Sequence, residues 1–258
     1  MSNTDRVDKS LFEESHYLGK PADANDLLVS RRIELLHAFA PFWENSNRSK
    51  LLEIGCGNGN TVLRLAPDFE KAVGLEYAAV HESEFLELKS ELSVHNADFK
   101  VWDILSGGFD FEGGLADRLV SFEVIEHLPS EDGVANYAKS LKVGGIAAIS
   151  VPNKWWIFET HGAKLPFLPW NRVPYFSWLP TFLHEKWAHA RIYTRKRIEK
   201  LLEKHGFEVL QVQYVTAPMD VIKWKPLQHY LRKWVFRGNS TSNPFKAVSI
   251  LVFCKRIR

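Results

Sequence analysis

The stretch Leu51-Leu52-Glu53-Ile54-Gly55-Cys56-Gly57-Asn58-Gly59-Asn60 constrains the fold more than any other part of the chain. A short run suited to a buried strand passes directly into three alternating glycines. Glycine reaches backbone conformations closed to other residues and carries no Cβ, so this turn can be tight and can admit a ligand close to the main chain. The following hundred or so residues keep the rhythm that such a turn begins. Strands are expected at Lys50–Ile54, Lys71–Glu76, Phe99–Ile104, Arg118–Val124 and Gly145–Val151, alternating with helices at Thr61–Leu65, His81–Leu92 and Asp132–Leu141. Val-, Ile- and Leu-rich strands in this alternation indicate a parallel sheet covered by helices on both faces.

A helical stripe (Leu27, Leu28, Ile33, Leu35, Leu36, Phe39) precedes the first strand and stops before Pro41. After the fifth strand the rhythm breaks over 152–193, a stretch dense in Trp, Phe and Pro. Loops of that length inside a compact domain usually serve as lids or binding segments. Thr194 then reads as an N-cap, Arg195–His205 as a helix closed by Gly206, and Phe207–Val215 and Ala247–Cys254 as the last two strands. A second insertion, 216–246, joins them. The expected organisation is one domain over 1–258, with an N-terminal arm and helix at 1–45, residues 1–24 being the loosely ordered arm.

The glycines alone do not separate a dinucleotide site from other nucleotide-like sites. Two neighbours do. Asn60 stands where the dinucleotide fingerprint needs Gly or Ala, and Glu53 would repel a pyrophosphate but attract an ammonium. Glu76 ends the second strand, where a carboxylate can accept both hydroxyls of a ribose. Asp103 ends the third strand and can accept from an adenine amino group, with Asp98 the alternative if the register differs.

In this order, LLEIGCGNGN, VGLEYA, VWDIL, LVSFEVIEHL and LKVGGIAAISVPN resemble the class I S-adenosylmethionine (SAM) dependent methyltransferases, from about Leu51 to Asn153 and more weakly through TRKRIEKLLEKHGFEV. The resemblance implies a Rossmann-like, seven-stranded, mostly parallel sheet with its last strand antiparallel. It also implies SAM as cofactor, contacted by Glu53, Gly55, Cys56, Gly57, Gly59, Glu76, Tyr77, Asp103, Ile104 and Phe122. A SAM-binding regulatory module without turnover is the non-enzymatic alternative on the same fold.

Glu123-Val124-Ile125-Glu126-His127 follows the fourth strand. On a helical turn Glu123 would share a face with Glu126 and His127. Two carboxylates and an imidazole there suit either a divalent cation such as Mg²⁺ or direct proton transfer by His127. The E-x-x-E-H pattern resembles ubiquinone-pathway O-methyltransferases and small-RNA 2′-O-methyltransferases. The second resemblance implies a downstream histidine in the metal site, for which His161 is the candidate. The expected catalytic set is therefore His127, Glu126 and His161, and the expected metal set Glu123, Glu126, His127 and His161. FETHG and ARIYT are also similar to methyltransferases of surface-polysaccharide pathways, so the expected acceptor is a hydroxyl of a small-molecule or lipid-linked glycan. RNA 2′-hydroxyls and quinone-type phenols remain alternatives.

Charge is unevenly spread: residues 186–258 hold 16 Lys or Arg against 4 acidic residues, in a chain of net charge +2. The aromatics Trp155, Trp156, Phe158, Phe167, Trp170, Tyr175, Phe176 and Trp178 suit three roles: packing over the sheet as core, stacking on sugar rings or bases, or, with Lys223, Trp224, Lys225, Arg232, Lys233 and Trp234, peripheral membrane contact through 155–188 and 223–237. Nucleic acid is disfavoured without being excluded, since no RNA-binding motif is present. No secretory leader or membrane-spanning run is evident, and the two cysteines, Cys56 and Cys254, suit a reducing compartment. The expected location is cytoplasmic, with a peripheral position at the inner membrane surface as an extension of it.

Overall fold

The computed structural model describes residues 26–111, 113–162 and 173–258. The expected arm at 1–24, and Phe167 and Trp170 of the aromatic stretch, lie outside them. Eight strands form one sheet in the order β3-β2-β1-β4-β5-β8-β6-β7. These are β1 (Lys50–Ile54), β2 (Lys71–Glu76), β3 (Ala97–Val101), β4 (Ala116–Phe122), β5 (Leu141–Pro152), β6 (Phe207–Thr216), β7 (Ser240–Thr241) and β8 (Ala247–Arg256). β1 to β5 run parallel, and β8 is antiparallel to both β5 and β6. The Rossmann-like α/β class and the antiparallel last strand are as expected. The count is eight rather than seven because two residues of the second insertion pair with the edge of β6.

Alternation along each strand sends neighbours to opposite faces and builds a core on each. Leu52, Leu119, Tyr137 and Ile250 belong to one, while Leu51, Leu63, Phe85, Leu251 and Phe253 belong to the other. The helices are α1 (Leu27–His37), α2 (Ala40–Trp43), α3 (Asn60–Leu65), α4 (Glu82–Glu91), α5 (Val134–Ser140), α6 (Thr181–Trp187), α7 (Arg195–Lys204) and α8 (Lys225–Tyr230). Asp26 caps α1 through bonds from the Leu28 and Val29 amides, and Thr194 caps α7 through the Arg197 amide. The two insertions meet in a third, smaller core in which Trp156, Ala217 and Met219 are joined by Phe158, Leu231 and Phe236.

Two strand ends differ from expectation in ways that shape the site. β3 stops at Val101, because Asp103 turns to cap a 3-10 turn by accepting from the Leu105 amide at 2.9 Å. β4 stops at Phe122, because Glu123 takes a left-handed conformation with φ 58°. Asp98, the alternative to Asp103, lies within β3 beside Lys71, 3.4 Å away.

Candidate functional site

A cavity of about 620 Å³ opens at the carboxyl ends of β1, β2 and β4, walled on one side by α1 and closed over in part by Thr160 and His161 of the first insertion. Glu53, Gly55, Cys56, Gly57, Glu76, Tyr77, Asp103, Ile104 and Phe122 all line it. Gly59 does not. It has φ 81°, and a Cβ there would lie 2.3 Å from the Phe85 ring, so Gly59 lets α4 pack against the glycine turn. Gly55, with φ 74°, sits in the cavity wall against Val124, where a Cβ would come within 2.3 Å.

The glycine turn is held by its neighbour strand. The Gly55 and Cys56 amides donate to the Leu75 carbonyl, and the Gly57 amide donates to Glu76 Oε2 at 2.9 Å. Glu76 Oε1 accepts from the Tyr77 and Ala78 amides at 2.8 and 3.1 Å. Of the roughly four lone-pair positions of a carboxylate three are thus taken, and Oε2 keeps one for a ligand hydroxyl. The Cys56 thiol is buried and its pKa is pushed well above the usual range by that burial, so it stays a thiol in the wall.

Glu53 is buried and accepts from the Val62 amide at 2.8 Å. Burial pushes its pKa up to about 8, against the bonds from Val62 and Thr61 that pull it down; the nearby charge of Glu76 adds to the rise. Its folded value thus lies above its unfolded one, so its contribution to stability is complete below about pH 4 and is lost as pH rises through about 8. Glu53→Gln removes that titration. The melting temperature of the wild type minus that of Glu53→Gln is therefore expected to fall between pH 5 and 8 in ligand-free protein; a flat difference would place the charge elsewhere.

His127 and His161 also line the cavity, their rings edge to face with centroids 5.1 Å apart. Burial pulls both imidazoles below the usual histidine range, so both are neutral near pH 7. Glu126 does not line the cavity. It is buried, with Oε1 3.3 Å from His161 Nε2. Burial, then the charge of Glu123, raise its pKa well above the carboxylate range. One donor atom from each of Glu126, His127 and His161 lies within 4.8 Å of the others.

Glu123 departs from the expected helical turn. Its left-handed backbone aims Oε1 at Arg32, 2.6 Å away, and at the Ser150 hydroxyl, 2.8 Å away, leaving Oε2 3.7 Å from His161 Nε2. The group nearest to metal-ligand geometry is thus two imidazoles and one carboxylate. That set favours transition metals over Mg²⁺, which prefers oxygen donors and retained water.

Several residues that hold this arrangement carry no local signal in the sequence. Arg32 lies on α1, buried, where a helical stripe predicts only apolar contacts. Arg191 clasps the loop after β4, donating to the Leu128 carbonyl and, at 2.7 Å, to that of Pro129. Glu159 fixes the His161 backbone by accepting from its amide at 3.0 Å and is itself paired with the buried His184 of α6 at 2.5 Å. Thr160 Oγ1 meets His161 Nδ1 at 2.9 Å and so orients the ring.

Residues 28–212, well over half the chain, match a family described as a methyltransferase domain. No curated protein matches. Among solved structures, the chain is similar to an S-adenosylmethionine dependent methyltransferase from Mesorhizobium loti, with 14% identity and a TM-score of 0.58 over 88% of this chain and 98% of that one. It is also similar to magnesium protoporphyrin IX methyltransferase from Synechocystis with bound SAH, with 15% identity and a TM-score of 0.53 over 88% and 81%. A third similar structure is the 4+2 cyclase SpnF, with 17% identity and a TM-score of 0.55 over 86% and 80%. At these identities the structures speak for the fold, and the cyclase illustrates that one fold hosts more than one reaction. The glycine turn, the strand order and the family match together settle the assignment: the chain belongs to the methyltransferase-domain family and is a SAM-dependent methyltransferase.

Proposed function

We propose that the enzyme is an O-methyltransferase acting on a hydroxyl of a small-molecule or lipid-linked glycan. The observation that carries this reading is a single cavity lined both by the glycine turn with its carboxylates and by a neutral, partly exposed imidazole, His127. The cavity lies in the ordinary range for a drug-sized ligand, about 300–1,000 Å³. SAM supplies an activated methyl group on a sulfonium when bound. Its fit rests on Glu53, a buried carboxylate held near neutrality only for want of a cation; an ammonium group beside it would favour the ionised form. In this reading Gly55 and Gly57 allow close approach, Glu76 holds the ribose and Asp103 the adenine amino group. Cys56, Tyr77, Ile104 and Phe122 pack around them, and Gly59 acts through its contact with α4.

His127 takes the proton of the acceptor hydroxyl as the oxygen gains its new bond to carbon. His161 and Glu126 hold His127 and the acceptor in place. The first insertion is read as a lid over the acceptor through Thr160 and His161, with 216–246 bracing its described part, and the whole chain as one catalytic domain. A second reading is favoured by the closeness of the Glu126, His127 and His161 donor atoms: these three side chains would hold a transition-metal ion, which would supply a Lewis acid for deprotonating the acceptor hydroxyl. Mg²⁺ does not suit that donor set, and no step is assigned to it.

Radiolabelled methyl transfer from SAM into fractionated cell extract tests both. Label in a glycan or lipid fraction is the expected result. Label in RNA, or in a quinone-type phenol, would replace the acceptor assigned here, and absence of label from every fraction would favour a binding module. Loss of transfer in EDTA, restored by Mn²⁺ or Zn²⁺, would select the metal reading.

A further inference from the structure

Two short helices of the insertions present their apolar side outward. In and around α8, Trp224, Leu227, Tyr230 and Trp234 are exposed, the two tryptophans by 67% and 62%. The buried residue of the same segment is a glutamine: Gln228 donates to the Met219 and Ile222 carbonyls, both at 3.1 Å. α6 repeats this inversion. Phe182, Leu183 and Trp187 face out, Phe182 by 75%, while His184 is turned inward to Glu159. A surface helix normally buries its apolar stripe and exposes polar residues, so both helices are arranged to meet something apolar outside the chain. The insertions are one unit, joined by ring contacts of Trp178 and Trp155 with Phe245 at 5.4 and 5.9 Å, and of Trp156 with Phe236 at 6.0 Å.

The charges around α8 select the occupant. Lys223, Lys225, Lys233 and Arg237 are exposed, with Lys233 Nζ 5.4 Å from the Trp234 ring centroid. A second copy of the chain would bring this cationic rim against its own equivalent, which is unfavourable. Tryptophan and tyrosine between lysines instead match the boundary of an anionic bilayer, where the rings enter the headgroup region and the cations meet lipid phosphates. Among the described residues no helix is long and apolar enough to cross a membrane, so such contact would be superficial.

We propose that the outward face of Trp224, Leu227, Tyr230 and Trp234, rimmed by these cations, seats the enzyme on an anionic lipid bilayer. This goes beyond the methyl-transfer reading and does not depend on the acceptor.

Purified full-length protein sedimented with vesicles of phosphatidylcholine, with and without phosphatidylglycerol, tests it. Co-sedimentation is expected with the anionic vesicles only, accompanied by a blue shift of tryptophan fluorescence and weakened by salt. Trp224→Ser with Trp234→Ser, and separately Lys223→Glu with Lys225→Glu and Lys233→Glu, are each expected to weaken partitioning by about tenfold or more. Circular dichroism of both variants should match the wild type, since every substituted side chain is exposed. Failure of the wild type to sediment, or unchanged sedimentation of both variants, would overturn the proposal. So would a solution dimer abolished by the tryptophan variant, or binding of single-stranded RNA in preference to the vesicles. An acceptor other than a glycan or lipid would leave vesicle binding intact, so the two readings fail separately.

Discussion

His127→Ala is expected to lower methyl transfer by about 10²–10⁴-fold while leaving cofactor affinity unchanged, because a positioned general base contributes on that scale. His127 lines the same cavity as Glu53 and Glu76 but belongs to the turn after β4 rather than to the glycine turn, so calorimetric titration with SAM should separate the two effects. The pH dependence carries a second signature. Burial holds the imidazole well below the usual histidine range, with the neighbouring His161 adding to the drop. His127 therefore stays neutral and able to accept a proton at lower pH than an ordinary histidine, and the acid fall in rate is expected below the ordinary histidine pKa of about 6.5. Full transfer by His127→Ala with the natural acceptor would remove it from the chemistry.

Arg32→Met is expected to destabilise the fold by about 3–5 kcal/mol, the usual consequence of taking one partner from a buried ion pair. Arg32 and Glu123 have side chains only 6% and 19% exposed and meet at 2.6 Å. Without the guanidinium, Glu123 keeps only the Ser150 hydroxyl as a described donor to Oε1, while its backbone still bears the left-handed strain. Urea unfolding of Arg32→Met, Glu123→Gln and the double variant completes a cycle. The double variant should recover part of the loss, because it no longer buries a lone carboxylate. Additive losses would show that the pair has no coupling.

Much of the sheet was legible in the sequence because its signals are local. The apolar run into Gly55, the cap at Thr194 and the alternation of β6 and β8 each declare themselves within about ten residues, and the structure has elements at those places. The cavity wall was legible for the same reason: strand ends of a parallel sheet share one edge, which gathers Glu53, Glu76 and Asp103 although they are far apart in sequence. Glu123 was not legible. Nothing in its neighbours announces a left-handed residue, so an i, i+3, i+4 argument joined it to Glu126 and His127 when the backbone turns it towards Arg32. Arg31 and Arg32 were hidden differently. They lie in an otherwise apolar stripe, and their partners sit 91 to 217 positions away. His161 entered only through a family resemblance; Glu159 and His184, which hold it, gave no sign because a buried Glu–His pair looks like any two polar residues until the chain is folded.

The position of β8 has a consequence for how the molecule forms. It follows every other described strand in chain order, yet lies between β5 and β6 and makes ladders with both. α1, near the other end of the described chain, is fastened by Arg31 to the carbonyls of Thr216, Ala217 and Phe236, and by Arg32 towards Ser249 beside β5. During synthesis, therefore, the parallel half can assemble early with the edge of β5 bare, and α1 can pack on it while the carbonyls that fasten Arg31 are still missing. Contacts this distant in sequence make closure late and leave an aggregation-prone edge waiting for it. A ribosome that stalls before residue 247 would leave a chain holding the whole glycine turn and both cavity histidines but unable to complete the sheet.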